Sequence, residues 1–485
     1  MQGIFFSLFS ALLLILTLPY INWWWLVFVA LVPYFLALRR ASTLRSALSL
    51  TMLFGVSYGF AAAWPLLNVT AIWWTGGISM LQNAVLVWTV ILSMTLCGVL
   101  FFLPIAYAER RTRTSGIRDV FVVAILWAIL EYLRSKYALM GYEWGTVGYA
   151  LVDMPEVKHI ASFASVYGLS FFAVATNMML ALIIDRARTL TPLGVKRSLW
   201  ELIGLRGGKY GMAIFLSLWI GSVGFGLARE ARTPQKFLSA PLHVATVVSD
   251  FDGAAIGGGT YRAYRRDLLL LLAAHPDTDI VLLPENVFPF FRVDEMTGML
   301  AKRQFLFIDD QNSLYADFLS LTKRYALTTF AVGVHTERDG KGYNSLVFYR
   351  DGAMEYVQKK RRLLPFFEYA PLSLPIPIFE PLTPGNGSGI LSLFGMPMGT
   401  LVCSEIDDGR MIPFGTRVIL SPANDGVFAS SAAARMHRAV ARMRALESGA
   451  YIIRATKGGI SVIIDPYGRI LASQEGRASL WQTLH

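Results

Sequence analysis

Charge is scarce in this chain. Only 16% of its 485 residues are Asp, Glu, Lys or Arg, while 54% are hydrophobic and the mean hydropathy is +0.48. A soluble domain carries about 25% charged residues, so a wholly soluble protein is excluded. Cysteine is scarcer still, with Cys97 and Cys403 alone. They lie far apart, and Cys97 falls inside an apolar run, which excludes a disulfide framework. The compartment must therefore come from topology. The net charge of +11 does not mark a nucleic-acid protein, because much of the excess sits in short loops between apolar segments.

The apolar excess is uneven. Up to about Arg229 the chain is one apolar run after another; beyond it, charge, proline and turn signals return. We read a membrane half, residues 1–228, a basic linker, 229–241, and a soluble half, 242–485. Seven candidate spans are Ile4–Leu18, Trp23–Leu38, Ala47–Leu67, Ala84–Ala106, Val120–Leu133, Ile160–Ile184 and Tyr210–Leu227. The first lacks a charged leader and a small-residue cleavage site, so it reads as a retained span.

Lysine and arginine are missing from the first and third loops. They fill the second (Arg39, Arg40, Arg45), the fourth (Arg110, Arg111, Arg113, Arg118) and the sixth (Arg186, Arg188, Lys196, Arg197, Arg206, Lys209). This alternation puts the N-terminus inside, and seven crossings put the soluble half outside, which in a bacterium is the periplasm. The fifth loop differs: Gly141-Tyr-Glu-Trp-Gly-Thr-Val-Gly-Tyr149 is aromatic and suits a membrane interface or the rim of a lipid-binding mouth. Glu131, near a span end, needs a partner, and Arg134 lies at helical spacing from it.

The soluble half alternates strands with helices. Strands are expected at Leu242–Val248, Ile280–Leu283, Thr329–Val334, Asn344–Tyr349, Ala353–Gln358, Gly399–Val402, Val418–Ser421, Tyr451–Ala455 and Ile460–Ile464. Helices are expected at Tyr261–Ala274, Leu314–Tyr325 and Ala433–Gly449. The pattern suggests an α/β sandwich. Polar residues gather after strands: Glu285, Cys403, Glu405, Asn424 and Asp425, with the basic run Lys359-Lys360-Arg361-Arg362 after the hairpin.

Each of these residues alone has an ordinary reading. A lone cysteine is a small buried hydrophobe, a basic run is a solvated patch, and a glutamate after a strand is a cap. Together they meet one chemical need. A carboxylate can take a thiol proton, and an ammonium can stabilise the thiolate and the oxyanion of a tetrahedral intermediate. Strand ends are where open α/β sheets assemble such groups.

Here the sequence resembles a known family. Leu-Leu-Pro-Glu285, Tyr343-Asn-Ser, Lys360-Arg-Arg-Leu-Leu-Pro-Phe-Phe-Glu368, Cys403-Ser-Glu405, Ser421-Pro-Ala-Asn424-Asp425, Ala441-Arg-Met-Arg-Ala-Leu-Glu447 and Arg454-Ala-Thr through Arg469 are similar to motifs of the nitrilase, or carbon–nitrogen hydrolase, superfamily. With the membrane half in front, where Leu130-Glu-Tyr-Leu-Arg134, Gly148-Tyr and Tyr167-Gly-Leu-Ser-Phe also match, the chain resembles the bacterial apolipoprotein N-acyltransferases. The resemblance implies a multi-span α-helical membrane domain followed by an α/β sandwich of the nitrilase type. It implies Glu285 as general base, Lys360 as the triad lysine, Cys403 as nucleophile, and Glu368 and Glu405 as supporting acids. Lys360 is chosen over Lys359 because its spacing to Pro365 fits the motif. The implied reaction moves an acyl chain from a phospholipid through a cysteine thioester to an amine, that of an apolipoprotein N-terminal cysteine, in the bacterial inner membrane. No cofactor, metal or nucleic acid is implied.

Some positions depart from the family pattern. Ser404 stands where an aromatic is expected, Gly-Val-Phe follows Asp425 in place of a Trp-containing turn, and Lys457-Gly458 replaces an Asn-containing turn. The first strand is not followed by Gln-Gly-Asn, and no further apolar span follows Arg469. These departures also resemble TraB-type conjugal-transfer proteins. A membrane-tethered amidase and a non-catalytic scaffold are the remaining alternatives.

Overall fold

The computed structural model describes residues 1–68, 80–113, 116–137, 143–190, 208–231, 237–248, 258–288, 292–301, 311–370, 381–428 and 430–485. Gly141, Tyr142, Lys196, Arg197, Arg206 and the middle of the expected linker lie outside these. The chain divides into two compact units: Met1–Leu67 with Val87–Arg232, and Asn68–Leu86 with Thr233–His485.

The first unit is helical: α1 (Gln2–Leu16), α2 (Val32–Arg40), α3 (Leu44–Ala63), α4 (Met80–Thr112), α5 (Ile117–Tyr137), α6 (Pro155–Lys158), α7 (Ala161–Leu190) and α8 (Gly208–Glu230). Among the described residues, four stretches are long and apolar enough to cross a bilayer: Leu44–Asn68, Leu81–Thr112, Ala161–Arg188 and Tyr210–Glu230. Helix α1 has 15 residues, about 22 Å at 1.5 Å per residue, against a hydrocarbon core of about 30 Å.

The second candidate span is not a continuous helix. Trp24–Phe28 forms a 3₁₀ turn, the chain breaks at Val29–Leu31, and α2 starts again with proline in its first turn, where a missing N–H is tolerated. Backbone freed from a helix at membrane depth must find partners inside the protein. Asn177 of α7 supplies them: its Nδ2 donates to Val27 O at 2.6 Å and its Oδ1 accepts from Leu31 N–H at 2.7 Å.

Glu131 and Arg134, expected to pair, attract one another electrostatically and both reach the same neighbouring segment. Glu131 accepts from Val147 N–H at 2.9 Å and from Trp127 Nε1 at 3.0 Å. Arg134 donates to Thr146 Oγ1 at 3.1 Å. In the fifth loop, Glu143 accepts from Tyr149 OH at 2.5 Å and Tyr167 OH at 2.9 Å.

The expected second and fourth basic loops meet in space. Arg110 donates to Ser42 O at 2.9 Å and Arg113 to Leu38 O at 2.7 Å. Buried Arg39 lies 3.0 Å from Asp185 and 3.5 Å from both Glu109 and Asp119. Removing one partner of a buried ionic cluster strands the rest. Arg39→Met should therefore lower the thermal midpoint of the detergent-solubilised protein, corresponding to roughly 3 kcal/mol. Arg45→Ala, at an exposed position, should leave it unchanged.

The second unit is a four-layer sandwich. Its strands are β1 (Leu242–Val248), β2 (Ile280–Leu282), β3 (Arg292–Asp294), β4 (Thr329–Arg338), β5 (Lys341–Arg350), β6 (Ala353–Lys359), β7 (Ile390–Leu393), β8 (Met396–Thr400), β9 (Val418–Asn424), β10 (Tyr451–Lys457), β11 (Ile460–Ile464), β12 (Ile470–Glu475) and β13 (Ala478–Leu484). One sheet runs β13-β1-β2-β4-β5-β6, with β3 beside β4; the other runs β12-β11-β10-β9-β8-β7. Helices α9 (Gly258–Ala274) and α10 (Gln311–Arg324) cover the first sheet, and α11 (Ser431–Ser448) the second.

Strand alternation builds both cores of the first sheet. Ala245, Val247, Val281, Phe330, Val332 and Val347 pack under Tyr264, Leu268 and Phe318 of the helices. The alternate residues Val244, Ile280, Leu282, Leu346 and Phe348 pack against Val418, Leu420, Ile453 and Ala455 of the second sheet. Strands buried on both faces read as continuous apolar runs, which is why these segments were recognisable. Strands β1, β2 and β4 are parallel, and two antiparallel steps make β6 parallel to them. Strands β8, β9 and β10 are also parallel. The C-terminal ends within each set therefore share an edge.

Candidate active site

Glu285 follows β2. Its N–H donates to Ala423 O of β9 at 3.3 Å, so its backbone reaches across to the other sheet. Gly333 of β4 permits that path: a Cβ there would lie 2.4 Å from Pro284 O and 2.5 Å from Glu285 Cα.

Lys360 follows β6, is buried, and is held by its N–H to Asn344 O at 2.7 Å. Its Nζ lies 2.8 Å from Glu368 Oε2 and 3.7 Å from Glu285 Oε1. Asn344 Nδ2 bridges the same carboxylates, donating to Glu285 Oε1 at 2.6 Å and to Glu368 Oε1 at 2.8 Å. Lys359, one residue earlier on the strand, goes elsewhere: its Nζ meets Glu295 at 3.0 Å and sits 3.6 Å from the centre of the Tyr343 ring. Adjacent residues on a strand point to opposite faces.

Cys403 begins the 3₁₀ turn Cys403–Asp407 after β8, with φ +50°. A left-handed conformation is uncommon for a residue with a side chain. The Cys403 thiol donates to the Glu285 carboxylate. Burial pushes the thiol well above the ordinary cysteine range; the Glu285 charge adds to this, and the Lys360 ammonium opposes it. The resting sulfur is therefore a thiol with its proton already aimed at Glu285. For Lys360, burial favours the neutral amine, but Glu368 and then Glu285 hold it as an ammonium above its ordinary range.

The two supporting acids differ in place. Glu368 touches Lys360 and caps its own loop, accepting from Leu364 N–H at 2.6 Å. Glu405 accepts from Arg361 N–H at 2.7 Å and from Val402 N–H at 2.8 Å. It thus ties the residue after Lys360 to the residue before Cys403. Arg361 adds a 3.2 Å contact through Nε.

Other polar groups here carried weaker signals. Asn344 was part of a recognised motif but had no assigned role. His437, in the middle of a helix, offered none; it bonds Asp425 at 2.8 Å and Asp407 at 3.1 Å. Lys457 follows Tyr451, Ile453 and Ala455 at strand alternation, so it shares their face between the sheets, in register with Asn424. Its burial pulls the ammonium down to about 8, with Glu285 opposing.

The arrangement can take a proton from a thiol, hold a thiolate or oxyanion beside an ammonium, and return the proton to a leaving group. Among the described residues no group of three or more His, Cys, Asp or Glu side chains could hold a metal ion.

Residues 10–179 match the model of the apolipoprotein N-acyltransferase N-terminal domain, and residues 254–480 that of the carbon–nitrogen hydrolases. Similar relatives include the apolipoprotein N-acyltransferases of Allorhizobium ampelinum, 25% identical over 88% of this chain and 78% of that protein, and of Pseudomonas syringae pv. tomato, 26% identical over 94% and 85%. Among solved structures, the nitrilase-superfamily protein Nit3 of Saccharomyces cerevisiae matches at 18% identity over 52% of this chain and 93% of its own, with a TM-score of 0.39.

Two outcomes test this geometry. Gly333→Ala should displace Glu285 and slow Cys403 alkylation at neutral pH, measured on the purified full-length protein. Lys457 has a folded pKa of about 8, below its ordinary 10.5. The unfolded chain therefore binds more protons between those values, and stability rises with pH across that window. Relative to native protein, Lys457→Met should be more stable at pH 7, and the difference should shrink as pH rises from 8 to 10.5 in denaturant titrations.

Proposed function

We infer that this chain, a member of the apolipoprotein N-acyltransferase family, moves an acyl chain from a membrane phospholipid through a Cys403 thioester to an amine. The acceptor that fits best is the α-amine of an apolipoprotein N-terminal cysteine. The observation that carries the reading is the convergence of Glu285, Lys360 with Glu368, and Cys403 at strand ends, in a chain whose N-terminal part matches the acyltransferase membrane domain.

In the first step Cys403 Sγ attacks the ester carbonyl of the phospholipid while its proton passes to Glu285. The C–S bond forms, and Lys360 faces the developing negative charge. The C–O bond then breaks, and Glu285 returns the proton to the lysophospholipid alkoxide. In the second step the amine attacks the thioester, Glu285 takes the N–H proton, the C–N bond forms and the thiolate leaves beside Lys360 before reprotonation. Splitting the transfer this way keeps the acyl group activated between two substrates.

Glu368 serves by holding Lys360, and Glu405 by holding both loops. The helical unit keeps the chemistry at the bacterial inner membrane, where the donor is. The alternation of basic loops supports a periplasmic position for the catalytic unit, the compartment in which lipoprotein N-termini await acylation.

Intact-mass analysis after incubation with phospholipid vesicles tests the reading. Native protein should gain one hydroxylamine-labile acyl group; Cys403→Ala and Glu285→Gln should not. Added diacylglyceryl-cysteine peptide should discharge the adduct and appear as its N-acyl form. Absence of the adduct on native protein with a reactive Cys403 overturns the acyl-donor assignment. An adduct that the peptide leaves intact overturns the acceptor.

A further inference from the structure

The turn that presents Cys403 is short and left-handed at its first residue. Such backbone persists only where the surroundings over-determine it. Glu405 holds its front. Its back is held by α11. Arg444 donates from Nε to Ile406 O at 3.0 Å, and His437 meets the Asp407 carboxylate through Nε2 at 3.1 Å. These residues are seven apart on one helix, two turns along the same face.

The other imidazole nitrogen faces the β9 end. His437 Nδ1 lies 2.8 Å from Asp425 Oδ1, and Arg454 of β10 supports that carboxylate from behind at 3.3 Å. His437, Asp425, Arg444 and Arg454 are buried, and so is Asp407. An imidazole facing carboxylates through both nitrogens donates from both, and is therefore an imidazolium.

We infer that His437 is a positioning residue for the nucleophile: a buried imidazolium that bridges Asp407, at the end of the Cys403 turn, to Asp425, at the end of β9, and fixes the turn on the second sheet. It acts through Asp407 and not on the substrate. The inference rests on the reading of Cys403 as the nucleophile.

The charges facing the imidazole come from each neighbouring element. Asp407 belongs to the cysteine turn, Asp425 to the β9 end with Arg454 behind it, and Arg444 to α11 itself, while Phe428 presents its ring edge-on at 5.6 Å. Burial alone would favour the neutral ring, yet Asp425 and Asp407 hold it up to about 9. Burial also opposes the Asp425 carboxylate, and His437 and Arg454 hold it down to about 2. The bridge therefore stays charged across the neutral range. This matters because a displacement of about 1 Å at a reacting group can slow chemistry roughly 100-fold.

The test uses full-length protein in detergent or nanodiscs with three variants: His437→Gln, Asp407→Asn, and the two combined. Three quantities are read: the pH profile of Cys403 alkylation by iodoacetamide, the single-turnover rate and donor KM of thioester formation from phospholipid vesicles, and the thermal midpoint. His437→Gln should shift the alkylation profile and slow thioester formation roughly 10- to 100-fold with donor KM unchanged. The double variant, which removes the stranded carboxylate, should recover part of that rate. If His437→Gln does not fold, Asp407→Asn alone should give the shifted profile, because it cuts the same bridge at the other end.

A lowered midpoint with native alkylation profile and thioester rate would overturn the proposal and leave a purely structural cluster. Failure of the underlying reading looks different: native protein forms no thioester at all. In that case a shifted alkylation profile in the variants still supports the positioning role, and an unshifted one overturns it.

Discussion

A buried ammonium is the constraint around which the soluble unit is arranged. Lys360 is almost wholly removed from water, and an isolated charge there would be prohibitively costly. It survives because two carboxylates, Glu368 and Glu285, come from different loops to meet it. Each of those carboxylates must in turn be satisfied, and Asn344 serves both with one amide group. The chemistry follows from this arrangement. Glu285 therefore faces both the Lys360 ammonium and the Cys403 thiol. Burial and the Glu285 charge together keep the sulfur protonated.

Positioning is achieved by backbone more than by side-chain packing. Glu285 is anchored to β9 by its own N–H, Lys360 to β5 by its own N–H, and the loops bearing Lys360 and Cys403 to each other by the Glu405 carboxylate. These bonds link residues that lie far apart in sequence. A cluster held in this way moves only if the sheets move, and the intersheet core of Ile280, Leu282, Leu420 and Ile453 resists that.

The central strands were legible because they are buried on both faces and so appear as unbroken apolar runs; β1 and β11 fall at their expected limits. The strand before Cys403 runs Met396–Thr400, earlier than expected, because the chain turns left-handed at Cys403 and leaves the ladder before it. Strands β3, β7, β12 and β13 carried no such signal. β3 and β7 are short, β12 is exposed along most of its length, and β3 and β13 pair with partners remote in sequence. In the helical unit, composition marked Trp23–Leu38 as one span, but hydropathy is blind to a backbone break that a distant Asn177 satisfies. At the candidate site, strand-end logic singled out Glu285, Lys360 and Cys403, which the fold brings together. His437 escaped it because a histidine within a helix reveals its partners only when the loops are folded.

The pairing of β13 with β1 has a consequence for biogenesis. Leu242 lies opposite Leu484, and Phe237 N–H bonds His485 O at 3.0 Å, so the first and last strands of the soluble unit are neighbours. While the ribosome is still making the intervening residues, β1 has one open edge, an invitation to wrong partners. Closing it requires a contact spanning almost the entire unit, the kind that forms late. The first sheet is therefore completed only once β13 has been made and has found β1. Whatever shields that unfinished edge until then also governs how much of this protein matures.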